Sequence, residues 1–151
     1  MEKIRRTQTG LGGNADWTEV LAEVPLFSGL SRRHLRNLTK LAKIQRLLAY
    51  TKIVREGDRA DSFYLLLEGS AVVRPKGKRS VKLGAGDFFG ELALLDNSPR
   101  SATVEALEDV LVARIGRTDF VRMLEHEPKV ALLLMRTMAA RLRSSEASAQ
   151  H

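Results

Sequence analysis

The spacing of apolar positions changes period twice along the chain, dividing it into a helical, a strand-rich and a second helical stretch. In the first, "DWTEVLAEV" opens on Asp16, whose carboxylate can accept from the free N–H groups of a helix start, and Pro25 limits the helix. Ser31 offers a second N-cap, followed by Leu35, Leu38, Leu41 and Ala42 at helical spacing. After Ala42, short runs rich in Val, Ile, Leu and Tyr alternate with glycine-bearing turns at Gly57, Gly69, Gly77 and Gly84, the pattern of antiparallel strands. The expected strands lie near Lys52 to Arg55, Ser62 to Leu67, Ser70 to Arg74, Ser80 to Leu83, Ser101 to Ala106 and Val110 to Ile115. Short strands joined by tight turns close into a sandwich or roll, so the fold class is α+β. From Arg117 the helical period returns. "TDFVRMLEHE" takes Thr118 or a neighbour as its cap, and Pro128 opens a last helix, since proline is tolerated in a first turn. Val130, Leu133, Leu134, Met138 and Leu142 form one stripe, which is expected to pack on the β core.

Composition narrows the class. Of 151 residues, 44% are hydrophobic and 28% charged, the balance of a soluble globular domain. The apolar run Val130 to Met135 is too short to cross a bilayer. "MEKIRRTQTG" lacks the apolar middle of a secretory signal, so a cytoplasmic location is expected. Absence of cysteine excludes disulfides and thiolate nucleophiles or metal ligands. His34, His126 and His151 have no spacing suited to a metal, and no nucleophile, base and orienting group occur as a set. No metal, cofactor or catalytic activity is therefore expected. The formal charge of +7 attracts phosphate-bearing partners at long range. "RPKGKR", Arg74 to Arg79, reads as a solvated hairpin whose charge discourages edge association, with a phosphate-tracking patch as the alternative.

The segment "FFGELALLDNSPRSATV", Phe88 to Val104, carries the candidate chemistry. "GELALL" suits a single helical turn whose first N–H groups lack partners within the helix. Gly90 leaves the backbone open to close approach, and "DNSP" reverses the chain and brings Arg100 back. A guanidinium gives two parallel hydrogen bonds to one phosphate and stays charged at physiological pH. Glu91 is then free to accept from a sugar hydroxyl, and Ser101 adds a hydroxyl and a backbone donor. The bland reading is an ion pair between Arg100 and Glu91.

"FGELALLDNSPRSATV" resembles the phosphate-binding cassette of the cyclic nucleotide-binding domain family, shared by regulatory subunits of cyclic-AMP-dependent kinase and bacterial catabolite activators. The likeness extends through "VPLFSGLS", "EGDRADSFYLLLEG" and "DVLVARIGRTDF", roughly Val20 to Leu142. It implies an antiparallel eight-stranded β-roll, jelly-roll-like, with flanking N-terminal and C-terminal helices. It also implies noncovalent binding of cyclic AMP or cyclic GMP. By the same resemblance Gly90 and Leu92 face the ligand through their backbone, Glu91 accepts from the ribose 2′-hydroxyl, and Arg100 pairs with the cyclic phosphate. Ser101 resembles the bacterial activators and favours cyclic AMP over cyclic GMP. The last helix is expected to follow the cassette and signal to a partner. A lid role, with Arg141 or Arg143 stacked on the purine, is weighed below solvated cations at a helix end.

On this reading 1–15 is a flexible basic arm and 16–147 the binding domain, with helices at 16–42, the β-roll at 43–116 and C-terminal helices at 117–147, before a tail at 148–151. No helix-turn-helix and no second nucleotide domain are apparent, so output is expected to pass to a separate effector, unless the chain is a fragment of a longer protein. The competing class is a scaffold that keeps the roll without a ligand. Nucleic-acid binding through the basic arm and hairpin is a third.

Overall fold

The computed structural model describes residues 17–149, with side chains through 144. The arm, and Asp16 as a cap, lie outside the described residues. Helix α1, Thr18–Ala22, follows Trp17 and ends before a 3-10 turn at Pro25–Phe27. Helix α2, Arg32–Leu41, starts where Ser31 Oγ accepts from the His34 N–H at 3.2 Å. Leu35 and Leu38 are buried, whereas Leu41 turns outward.

Eight strands follow: β1 Lys43–Leu47, β2 Lys52–Val54, β3 Ser62–Glu68, β4 Ala71–Pro75, β5 Val81–Leu83, β6 Phe88–Phe89, β7 Ala102–Ala106 and β8 Val110–Gly116. They form two four-stranded sheets, ordered β1-β8-β3-β6 and β2-β7-β4-β5, with antiparallel pairing throughout. The architecture is the antiparallel β-roll with helices at both ends. Two strands escape period reading. In β1, "KIQRL" fully buries only Ile44, between Lys43 and Gln45, and β6 is two residues long.

Strand β3 explains the division of the core. "SFYLLL" is covered on both faces and so is apolar without alternation. Phe63, Leu65 and Leu67 meet the helices, while Tyr64 and Leu66 face the interior of the roll. Phe63 stacks on Phe120 at 4.6 Å and lies 5.7 Å from Phe88, joining the last helices to the roll through aromatic packing. Inside the roll, Tyr64 stacks on Phe89 at 5.1 Å.

Helix α3, Glu91–Leu95, is the short turn expected of "GELALL". Helix α4, Arg117–His126, begins after Gly116 without a side-chain cap, so Thr118 lies within the helix rather than capping it. Pro128 opens helix α5, Pro128–Ala149, which runs past the expected boundary at 147. Val130 and Leu134 are buried and Leu133 and Met138 pack against the core, but Leu142 is 60% exposed. The expected single stripe is thus corrected: Leu142 lies on a different face.

Candidate ligand site

The site is built where β6 hands over to α3. Gly90 takes a left-handed conformation, with φ of +91°, that an L side chain adopts only under strain. A Cβ there would stand 2.7 Å from Arg100 Nη1 and 3.2 Å from the Ser62 carbonyl oxygen. Glycine is therefore required twice, by conformation and by the approach of Arg100.

The chain then reverses as the sequence predicts. Asn97 takes a φ of +56°, and the Ser98 N–H donates to the Ala93 carbonyl at 3.2 Å while its hydroxyl donates to Asp96. Arg100 returns with its backbone clamped by the β2–β3 loop: its N–H donates to the Asp58 carbonyl at 2.8 Å, and its carbonyl accepts from Gly57 at 2.9 Å. The residue is 5% exposed. Nη1 donates to the Gly90 carbonyl at 3.0 Å and Nη2 to the Ser62 carbonyl at 2.7 Å. Burial disfavours the guanidinium's charge and lowers its pKa, partly offset by Tyr64, Asp61 and Glu91. Among the described residues no carboxylate lies within ion-pair distance of it. Arg100 and Glu91 therefore do not make the ion pair of the bland reading.

Glu91 is also 5% exposed. Its Oε1 accepts from Arg141 Nη1 at 3.1 Å, and Arg141 Nη2 donates to the Phe88 carbonyl at 2.9 Å. The Arg141 guanidinium lies 4.4 Å from the centre of the Phe88 ring. Burial raises the Glu91 carboxyl above the ordinary carboxylate range, against the pull of Arg141, of the Glu91 and Leu92 N–H groups, and of Arg100. Arg141 is thus not the solvated cation expected from its place near a helix end, because α5 lies across the start of α3. Arg143 is exposed.

Gly90, Glu91 and Arg100 come together. Leu92 is 50% exposed with its N–H near the Glu91 carboxylate, and Ser101 is exposed at the entry to β7. Sequence reasoning did not find Ser62, which contributes through its carbonyl and so leaves no side-chain signal. Nor did it find Arg117, whose Nη1 donates to Asn97 Oδ1 at 2.9 Å and Nη2 to the Ala60 carbonyl at 2.7 Å, tying the turn to the first residue of α4. An open groove on the solvent side of the second sheet, lined by Lys52, Arg74, Lys76, Glu56 and Glu105, is separate from this site. Among the described residues no cluster of His, Asp or Glu could hold a metal ion, and no helix is long and apolar enough to cross a membrane.

The family model described as cyclic nucleotide-binding domain matches residues 44–127. The cAMP-dependent protein kinase regulatory subunit of Debaryomyces hansenii is 39% identical over 109 residues, covering 72% of this chain and 24% of that protein. The chain spans about a quarter of the length of the curated relatives it matches. A solved structure of Sp-2Cl-cAMPS bound to PKAR CBD2 superposes with a TM-score of 0.75 at 27% identity, covering 87% of this chain and 89% of that one. The regulatory subunit of a cAMP-independent protein kinase A from Trypanosoma brucei gives 0.73 at 28% identity, covering 89% and 46%.

Proposed function

The chain belongs to the cyclic nucleotide-binding domain family, and from that premise we propose that it senses a cyclic nucleotide, cyclic AMP in preference to cyclic GMP, and signals through its C-terminal helices to a partner protein. It acts by binding alone, without catalysis, as a cytoplasmic module spanning 16–147.

The observation that carries this reading is the buried charge of Arg100 beside Gly90, with no carboxylate at ion-pair distance among the described residues. A guanidinium has five N–H donors, and contacts to the Gly90 and Ser62 carbonyls use two of them. The remaining donors can meet the two free oxygens of a cyclic phosphodiester, whose negative charge offsets the cost of burying the cation. Gly90 leaves room for that guanidinium, and the Leu92 backbone lies beside it. Glu91 accepts from the ribose 2′-hydroxyl while retaining Arg141, since a carboxylate has acceptor capacity for both. Ser101, next to Arg100 and exposed, offers the hydroxyl on which the preference for cyclic AMP rests.

Arg141 gives ligand binding a route outward. A ligand that shares Glu91 with α5 alters the helix's hold on the roll, and coupling of about 1 to 3 kcal/mol suffices for regulation. Calorimetric titration with cyclic AMP and cyclic GMP in parallel tests the reading: saturable heat is expected for both, with the tighter affinity for cyclic AMP. No saturable heat from either ends it. The Glu91 role is checked with a nucleotide lacking the 2′-hydroxyl, which should bind the parent and Glu91→Ala alike.

The scaffold reading has one observation in its favour, that both contacts of Arg100 are met by carbonyls of the fold itself. The likeness to a cAMP-independent regulatory subunit is consistent with it. It predicts no thermal shift at saturating nucleotide, where a ligand at a hundred times its Kd adds about 2.7 kcal/mol.

A further inference from the structure

We propose that the outward face of α5 is a docking surface for an acidic amphipathic helix of a partner protein. Val130, Leu134 and Arg141 point into the fold, and the opposite side carries Leu132, Met135 and Leu142, which are 46%, 58% and 60% exposed. With exposed Ala139 they recur at alternating spacings of three and four, the seam by which two helices pair. So much apolar surface on one side of a helix is an unpartnered seam rather than scattered exposure.

Charge identifies the occupant. Lys129, Arg136 and Arg143, all exposed, repeat every seven residues along one flank of the seam. Among the described residues none of them has a carboxylate partner. In a parallel helix pair, side chains on this flank face the opposite flank of the partner. A second copy of this chain would present Ala131 and Met138 there, and Met138 already packs against the core. A helix with Glu or Asp on that flank satisfies all three cations. The seam is short, but α5 is held helical by its inner face, so only the partner has to be ordered. The partner class deepens the transmission reading, yet the face is present whether or not nucleotide binds.

The test uses the full chain without nucleotide and a labelled synthetic helix with leucine along its seam and glutamate on both flanks. Fluorescence anisotropy at physiological salt should show saturable binding. A scrambled peptide of the same composition and a lysine-flanked helix should bind weakly. Combined Lys129→Glu, Arg136→Glu and Arg143→Glu should weaken the glutamate helix by about fivefold or more and favour the lysine-flanked one. Combined Leu132→Ser, Met135→Ser and Leu142→Ser should abolish binding with unchanged thermal unfolding, and Arg100→Ala should leave it intact, separating this face from the nucleotide site. Equal binding of the scrambled peptide overturns the proposal. So does seam-dependent dimerisation of the chain alone at the same concentration, or seam-dependent binding to phosphatidylserine vesicles without binding to the helix.

Discussion

The turn from Phe88 to Val104 and the helix α5 each bring an arginine to the neighbourhood of Glu91, by opposite means. Arg100 lies ten positions from Gly90 and reaches it through a tight reversal, with its own backbone held by Asp58 and Gly57. Arg141 comes from fifty positions away, its side chain 37% exposed, and is attached to the site by Glu91 and the Phe88 carbonyl. Removing Arg100 from its place would unmake the β2–β3 loop contacts, whereas the Arg141 side chain can leave Glu91 and the Phe88 carbonyl without breaking any strand pairing. The first arrangement suits a fixed ligand anchor and the second a movable reporter.

That contrast is broken most severely at Arg100. Arg100→Ala should weaken cyclic-nucleotide binding by about 2 to 5 kcal/mol, tens to thousands of fold in calorimetry. Unchanged affinity would leave the anchor with a purely structural role. The next largest effect is expected at Gly90. Gly90→Ala imposes a strained left-handed backbone, at about 1 to 2 kcal/mol, and pushes a methyl against Arg100 Nη1. A fall in Tm of roughly 2 to 8 °C should accompany reduced affinity. A variant with parental Tm and affinity would show that the guanidinium position is soft.

The same contrast sets how much was legible in the sequence. Gly90, Glu91 and Arg100 are joined by a local reversal that Asp96, Asn97, Ser98 and Pro99 encode directly, so their convergence could be read from spacing. The strands from β2 to β5, β7 and β8 were legible because glycine turns punctuate apolar runs. Strands β1 and β6 were not: three of the five residues of β1 are polar and break up its apolar pattern, and β6 is fixed by its pairing with β3 rather than by its own two residues. Arg141 was misplaced for a related reason. Its distance from Glu91 depends on how α5 lies across α3, and helical spacing reveals which residues share a face without revealing what that face meets. Leu142 shows the complement, an apolar residue one position from Arg141 that faces away.

The movable contact is sharpened by Arg141→Ala. Glu91 loses its charged partner but keeps its neighbouring N–H groups, and Arg141 is partly solvated, so the cost should be about 1 kcal/mol of stability. Hydrogen exchange along α5 should quicken while β3 and β8 are unchanged. If exchange quickens equally throughout, the contact belongs to the rigid core and the distinction between anchor and reporter disappears.

The smallest expected effect concerns the charge of Glu91 itself. Burial holds its carboxyl above the ordinary range, so the folded protein binds this proton more tightly than the unfolded chain does. Its contribution to stability therefore falls as pH rises from the ordinary carboxylate value through the folded one. Glutamine carries no such proton. In urea unfolding at successive pH values, the stability difference between Glu91→Gln and the parent should move toward the variant across that window and level off above it. Movement toward the parent would mean that Arg141 and the backbone donors outweigh burial. Glu91 would then be a firmly charged partner, and the helix α5 would be bound to the roll as tightly as Arg100 is.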